Sequence, residues 1–355
     1  MNTDEKYMRR CLELAGLASG NTAPNPLVGA VVVHRGRIIG EGYHQVYGQA
    51  HAEANAIEAV EDPALLKEST MYVNLEPCAH HGNTPPCASL IVRMGIPRVV
   101  IGTVDSSSRV SGKGIHILKE GGCEVKTGVL EEASRDMNRR FFTYHEKQRP
   151  YVILKWAQTA DGYIDRDRRK DDPIQPSWIT NEVARHLVHK WRSEEQAILV
   201  GSNTALKDNP GLNVREWHGR EPLRIVIDRY LEIDERYKLI SDSLPLVLFT
   251  DKRSDPARAR ELERYDVEVV RLDFKDNVIR QIYEFLYNRK ILSLFVEGGS
   301  YTLHQLLQTD LWDEARIFTG SRLFHSGVKA PPFPGKEPYH MMDLQDTRLF
   351  VFRNE

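Results

Sequence analysis

Three residues with an appetite for soft metal ions, each standing at the start of a helix or beside a proline, constrain this chain more than any other feature. His51-Ala52-Glu53 opens the helical pattern HAEANAIEAV, Cys78 follows Pro77 after the strand-like run TMYVNLEP, and Cys87 follows Pro85-Pro86 at the start of the helical run CASLIVRM. One imidazole and two thiolates suit zinc, and three protein ligands leave a fourth position for water. Proline is tolerated in a first helical turn, and the positive end of a helix dipole favours thiolate at Cys87. Glu53, two residues from His51, is not needed as a ligand. It is placed to take a proton from water and deliver it to a ring nitrogen and a leaving amine, as hydrolytic deamination of a nucleobase requires. Two plainer readings stay open: a coincidental set of buried residues, or a closed structural site with His80 or His81 as fourth ligand.

A chain of 355 residues is too long for one ordinary core, so two domains are expected. The first part alternates helices and strands, with VGAVVVHRGRIIGEGYH as two strands turning at His34–Arg35–Gly36 and EEASRDMNRRFFTYHEKQRP as a single polar helix running into Pro150. The boundary is placed there, giving domains 1–147 and 148–355. The second part carries strand candidates YVILKWA, AILVG, RIVID, PLVLFT, VEVVRL, LSLFVE and EARIFTG, with helices NEVARHLVHKWRS and DNVIRQIYEFLYNRK between them. Both parts therefore read as a sheet covered by helices. DRDRRKDDPIQP is charged and contains proline, which predicts an exposed loop.

The second part has no Gly-x-Gly-x-x-Gly after a strand, so a Rossmann fingerprint is not indicated. LSLFVEGGSYTLHQLL places Glu-Gly-Gly between a buried strand and a helix, where backbone N–H groups can approach a phosphate; alone, this is also a common α/β connection. ILVGSNTALKDNPGLNVR sets Thr204, Asp208 and Arg215 in a long loop after a strand, and on its own a plain polar Asn/Pro/Gly loop is the simpler reading.

The formal net charge of −2 argues against a nucleic-acid-coating protein. No apolar run reaches the ~18 residues of a membrane span, and the N-terminus lacks a secretory pattern, so the expected location is cytoplasmic. Four cysteines in such a chain do not suggest a disulfide framework, and Cys11 and Cys123 read as ordinary small residues.

HAEANA together with LEPCAHHGNTPPC resembles the cytidine-deaminase fold, and specifically the deaminases of riboflavin biosynthesis. Many deaminases, including those editing nucleic acid, carry Cys-x-x-Cys; the longer CAHHGNTPPC, with APNPLVGAVVV and GYHQVYGQAHAE upstream, is similar to the riboflavin enzymes. The resemblance implies that Asn25, His44 and the loop around His80 and His81 line a pocket for the pyrimidine and its phosphoribosyl group. Read alone, Asn25 is equally a turn residue and His44 equally an exposed strand-end histidine. Asn55, Ala30 and Asp105-Ser-Ser-Ser depart from the family pattern without touching a zinc ligand.

PYVILKWAQTADG, SWIT, the helix ending in WRS, the SNTALKDNPGLNVR segment and VEGG resemble the reductase half of the same family, which is similar to dihydrofolate reductase and uses NADPH. The implied fold is an N-terminal cytidine-deaminase-like three-layer α/β domain plus a C-terminal dihydrofolate-reductase-like α/β domain. The implied cofactor contacts are Ala157, Trp178, Thr204, Asp208, Gly298, Gly299 and Ser300, and the implied substrate contacts are Arg192, Leu212, Arg215 and Glu297. Two arginines converging on a sugar phosphate make physical sense, because the guanidinium fork pairs phosphate oxygens. Trp178 is equally read as a packing residue. Pro176 stands where the family often has a small hydroxyl residue. No single catalytic acid is assigned; Lys155 and Asp161 are the nearest candidates. The implied activity is bifunctional, with zinc and NADPH as cofactors: hydrolytic deamination of a small phosphorylated pyrimidine, then reduction of its ribosyl chain. The partners implied are that substrate and at most other copies of the chain, not nucleic acid or membrane. The rivals are a deaminase-only enzyme, a nucleic-acid deaminase with a non-catalytic second domain, and a zinc-stabilised binding protein.

Overall fold

The computed structural model describes residues 2–79, 85–107, 111–169 and 172–354. They form two compact units, Met1–Arg149 and Pro150–Glu355.

In the first unit, α1 (Thr3–Gly16) precedes a hairpin of β1 (Gly29–His34) and β2 (Arg37–Tyr43). Its turn residues Arg35 and Gly36 have φ of 47° and 78°, the left-handed conformations that tight hairpins favour. The chain continues through α2 (Ala52–Glu58), a 3-10 turn (Pro63–Glu68), β3 (Ser69–Leu75), α3 (Cys87–Arg93), β4 (Arg98–Thr103), α4 (Lys113–Glu120) and β5 (Glu124–Lys126). The sheet order is β2-β1-β3-β4-β5; β3, β4 and β5 run parallel, and β1 is antiparallel to both neighbours. Side chains alternate across β1, so Ala30 and Val32 pack with Ala52, Ala56 and Ile91, while Val31 and Val33 pack with Tyr7, Met8 and Cys11 of α1. Helices thus cover both faces. Gly42 lets α2 lie directly on β2, because a Cβ there would stand 2.3 Å from Ala56 N. That close approach fixes the start of α2, where His51 and Glu53 sit.

The polar stretch expected as one helix is two, α5 (Glu131–Met137) and α6 (Arg139–Lys147). The break is at Asn138, whose Oδ1 accepts from Leu27 N (2.8 Å) and whose Nδ2 donates to Leu27 O (2.9 Å). Asn74 grips the same segment through Gly29 N and Leu27 O.

The second unit starts with β6 (Tyr151–Gln158), β7 (Tyr163–Asp165), α7 (Glu182–Glu194), β8 (Ala197–Gly201), α8 (Ser202–Asp208) and β9 (Leu223–Ile227). It continues with α9 (Lys238–Ser241), β10 (Leu246–Asp251), α10 (Pro256–Leu262), β11 (Val267–Leu272), α11 (Val278–Asn288), β12 (Ser293–Glu297) and α12 (Ser300–Thr309), then β13 (Glu314–Gly320), β14 (Val328–Lys329), β15 (His340–Leu344) and β16 (Thr347–Arg353). Nine strands form one sheet ordered β11-β10-β9-β8-β12-β6-β13-β16-β15. It is parallel from β11 to β13 and closes with antiparallel β16 and β15. Continuous apolar runs such as AILVG and SLFVE are what strands covered on both faces require. One face packs under α7, α8, α9 and α10 through Val188, Trp191, Ala205, Leu239 and Leu262; the other under α11 and α12 through Ile282, Leu286, Leu303 and Leu306.

Candidate active sites

In the first unit, His51 is the extended residue capping α2 (φ −78°, ψ 163°), so its ring projects off the helix end. Pro86 does the same office for α3, leaving Cys87 as that helix's first residue. His51 Nδ1 lies 3.4 Å from Cys78 Sγ and 3.4 Å from Cys87 Sγ, and Cys87 N–H donates to Cys78 Sγ at 3.3 Å. A tetrahedral ion with bonds of roughly 2.3 Å to sulfur and roughly 2.05 Å to nitrogen sets an N–S edge of about 3.6 Å, so these donors fit zinc. Hydrogen bonding from Cys87, aided by His51, holds the Cys78 thiol down at about 4 against its burial, while the adjacent Cys78 sulfur and burial push Cys87 up. Two neighbouring thiolates need a cation between them.

Glu53 lies in the first turn of α2 and is buried beside this group. Burial, with the Cys78 charge, raises its carboxyl to about 7. His44 is buried, not exposed at a strand end. Its Nδ1 donates to Ala50 O (3.0 Å), which leaves Nε2 to accept from Asn25 Nδ2 (3.1 Å), and its ring meets that of His51 edge-on at 5.4 Å. Asn25 is at once a turn residue, through its N–H to Thr22 O, and part of this cluster. His80 and His81 lie outside the described residues.

In the second unit, a cleft of about 1770 Å³ opens at the carboxyl ends of β6, β8, β9 and β12. Every residue assigned above to cofactor or substrate in this half lines it: Ala157, Trp178, Thr204, Asp208, Gly298, Gly299 and Ser300, with Arg192, Leu212, Arg215 and Glu297. Lys155 lines it as well; Asp161 does not, and its carboxylate instead receives the N–H groups of Phe324 and His325. Gly298 and Gly299 take φ of 88° and 75°, and a Cβ on Gly299 would press Thr204 Oγ1 at 3.1 Å. Trp178 is half-exposed on the rim, stacked under Arg185 at 4.8 Å, so packing does not account for it.

The two arginines do not arrive as equals. Arg192 is buried and bidentate to Glu297 (2.6 and 3.0 Å), with its remaining nitrogen on Asn213 O (3.0 Å). Lys155 Nζ completes the group at 3.3 Å from Glu297. Burial would raise the Glu297 carboxyl, but Arg192 and Lys155 bring it down to about 2. Arg215 is exposed and makes no ion pair among the described residues. Leu212 is held in the core with φ of 53°.

The charged segment is largely exposed, as expected, but one of its arginines turns inward. Arg168 carries only 9% side-chain exposure and pairs with Asp165 (2.8 Å) and Asp208 (2.6 Å). It also donates to Gln175 O and Lys207 O, so its desolvation is offset by charged and carbonyl acceptors on four residues. Pro176 and Ser177 line the cleft beside it. A run of mixed charge gave no sign of this, because the partners Lys207 and Asp208 are forty residues away in sequence.

A thiolate–imidazole metal site with a buried carboxylate, and a separate cleft at the ends of parallel strands, define a zinc-dependent deaminase joined to a reductase. The zinc-binding region of cytidine and deoxycytidylate deaminases matches residues 1–103, and the RibD C-terminal domain matches residues 150–354. The riboflavin biosynthesis protein RibD of Aquifex aeolicus is 40% identical over 327 residues, covering 92% of this chain and 89% of its own. That of Bacillus amyloliquefaciens is 37% identical over 98% of this chain and 93% of its own. A crystal structure of the diaminohydroxyphosphoribosylaminopyrimidine deaminase/5-amino-6-(5-phosphoribosylamino)uracil reductase of Thermotoga maritima superposes with a TM-score of 0.86 at 36% identity, covering 99% of this chain and 98% of that one. The chain belongs to the RibD family of bifunctional riboflavin biosynthesis enzymes, with a zinc-dependent deaminase domain and an NADPH-dependent reductase domain.

Proposed function

We propose that the chain deaminates 2,5-diamino-6-(5-phosphoribosylamino)pyrimidin-4-one and then reduces the ribosyl group of the product, giving 5-amino-6-(5-phosphoribitylamino)uracil. The observation that carries this reading is the pair of separate sites: a His–Cys–Cys donor set with Glu53 beside it, and a cleft that gathers every expected reductase residue.

His51, Cys78 and Cys87 would hold zinc, which when bound would supply a water made nucleophilic near neutral pH. Glu53, buried beside the three donors, is placed to take a proton from an attacking water and to pass it to the pyrimidine nitrogen and the departing amine. Asn25 and His44 hold the pyrimidine, His44 with its tautomer fixed by Ala50 O. In the cleft, NADPH when bound would supply the hydride. Ala157, Trp178, Thr204, Asp208 and the Gly298–Gly299–Ser300 turn contact the cofactor, while Arg192, Leu212, Arg215 and Glu297 form the substrate end. Glu297, kept ionised by Arg192 and Lys155, offers fixed acceptors for ribosyl hydroxyls. We assign residues 1–147 to deamination and 148–355 to reduction, and regard the chain as a cytoplasmic enzyme acting on small molecules rather than nucleic acid.

Product analysis with the phosphorylated diaminopyrimidine tests the reading. Ammonia should appear without NADPH, and NADPH should be oxidised only once deaminated pyrimidine is present. Ammonia release with no NADPH loss rejects the two-step reading, and tight RNA binding that collapses with salt would favour the nucleic-acid rival.

A further inference from the structure

α7 presents two polar side chains three residues apart, His189 and Arg192, to the same short segment of chain. Arg192 donates to Asn213 O, and His189 Nδ1 accepts the backbone N–H of Arg215 at 3.2 Å. His189 is buried and lines the substrate end of the reductase cleft. The guanidinium of Arg215 is steadied further by Asn213 Oδ1, 3.2 Å from its Nη1. Of the two arginines assigned to substrate, Arg192 already has its fork closed on Glu297, which leaves Arg215 to meet a phosphoryl group.

We infer that His189 is a positioning residue of the reductase: by accepting the Arg215 N–H through Nδ1, it fixes the backbone from which Arg215 reaches the phosphoryl group of the substrate. This inference rests on the assignment of Arg215 to the substrate phosphate. The interaction needs a neutral imidazole protonated on Nε2, because a proton on Nδ1 would set one donor against another. The surroundings enforce that state. Burial and the charges of Arg192 and Arg215 hold the imidazole down at about 4, outweighing Glu216 and Glu297. A histidine on the buried face of a helix usually reads as filler; here the ring nitrogen has a named backbone partner in the cleft wall.

The test uses the full-length chain loaded with zinc, supplied with NADPH and either the deaminated phosphoribosylaminouracil or its dephosphorylated counterpart. His189→Asn keeps an acceptor near the Nδ1 position and His189→Leu removes it, while Arg215→Met removes the guanidinium. His189→Leu should raise KM for the phosphorylated substrate about tenfold, the effect of stranding a buried N–H, with kcat within about twofold. His189→Asn should stay within about threefold of the parent. KM for the dephosphorylated substrate should not move in either variant, and the deaminase rate of the same chain reports that it is folded. If His189→Leu does not fold, His189→Gln, whose acceptor is displaced toward the Nε2 position, takes its place. An unchanged KM in His189→Leu, an equal rise for both substrates, or a failure of His189→Asn to recover would overturn the inference while Arg215→Met still loses phosphate preference. If Arg215→Met keeps that preference, the phosphate assignment itself fails and the inference with it.

Discussion

Replacing Glu297 with Gln removes the charge that holds Arg192 and Lys155 together inside the reductase unit. The carboxyl is buried and its pKa falls from 4.5 to about 2. That difference corresponds to about 3 kcal/mol favouring the ionised form, at the low end of the 3–5 kcal/mol typical of breaking a buried ion pair from one side. All five tryptophans (Trp156, Trp178, Trp191, Trp217 and Trp312) lie in the second unit, so their fluorescence reports on its unfolding without interference from the first. With a urea slope of about 2 kcal/mol/M, the midpoint should fall by about 1.5 M at pH 7. The sign with pH follows from a depressed carboxyl. The contribution is fully present above 4.5 and fades as pH falls from 4.5 toward 2, so parent and variant should converge across that window. A midpoint change below about 0.3 M at pH 7, or a gap that widens on acidification, would refute the reasoning.

Two further perturbations separate the units. Stripping zinc with a chelator should abolish ammonia release and leave Cys78 and Cys87 reactive toward a thiol reagent, while NADPH oxidation with deaminated substrate continues; thiol counting and the two rates are the measurements. Asn138→Ala should destabilise the first unit by about 1–3 kcal/mol, because Leu27 N–H loses its acceptor, while Leu27 O keeps Asn74. The loss should be seen as earlier heat inactivation of the deaminase, with the tryptophan transition unmoved.

What could be read from sequence was whatever depended on neighbours along the chain. The apolar runs became strands because burial on both faces demands them, and the metal-binding group was visible because each member marks a helix start or a strand end. Contacts between distant segments were not visible. Asn138, at the break between α5 and α6, pairs with Leu27 more than a hundred residues earlier, and its letter in a polar helix is unremarkable. Arg168 turns inward only because Asp208 and two carbonyls await it. The terminal hairpin β15–β16 was not anticipated either; HMMDL is largely exposed, so it carries no alternation for pattern reading to find. Arg192 was recognised as a cleft residue, but its closure on Glu297 depends on a partner 105 residues away.

The central claim is that one chain holds two sites that work independently, the first turning on Glu53. Glu53→Gln keeps the zinc ligands and removes the proton carrier, so zinc content should match the parent while ammonia release falls by about 10²–10⁴-fold. The same preparation, given already deaminated substrate and NADPH, should reduce it at the parental rate. Loss of both activities together, or deamination at the parental rate in Glu53→Gln, would contradict the account.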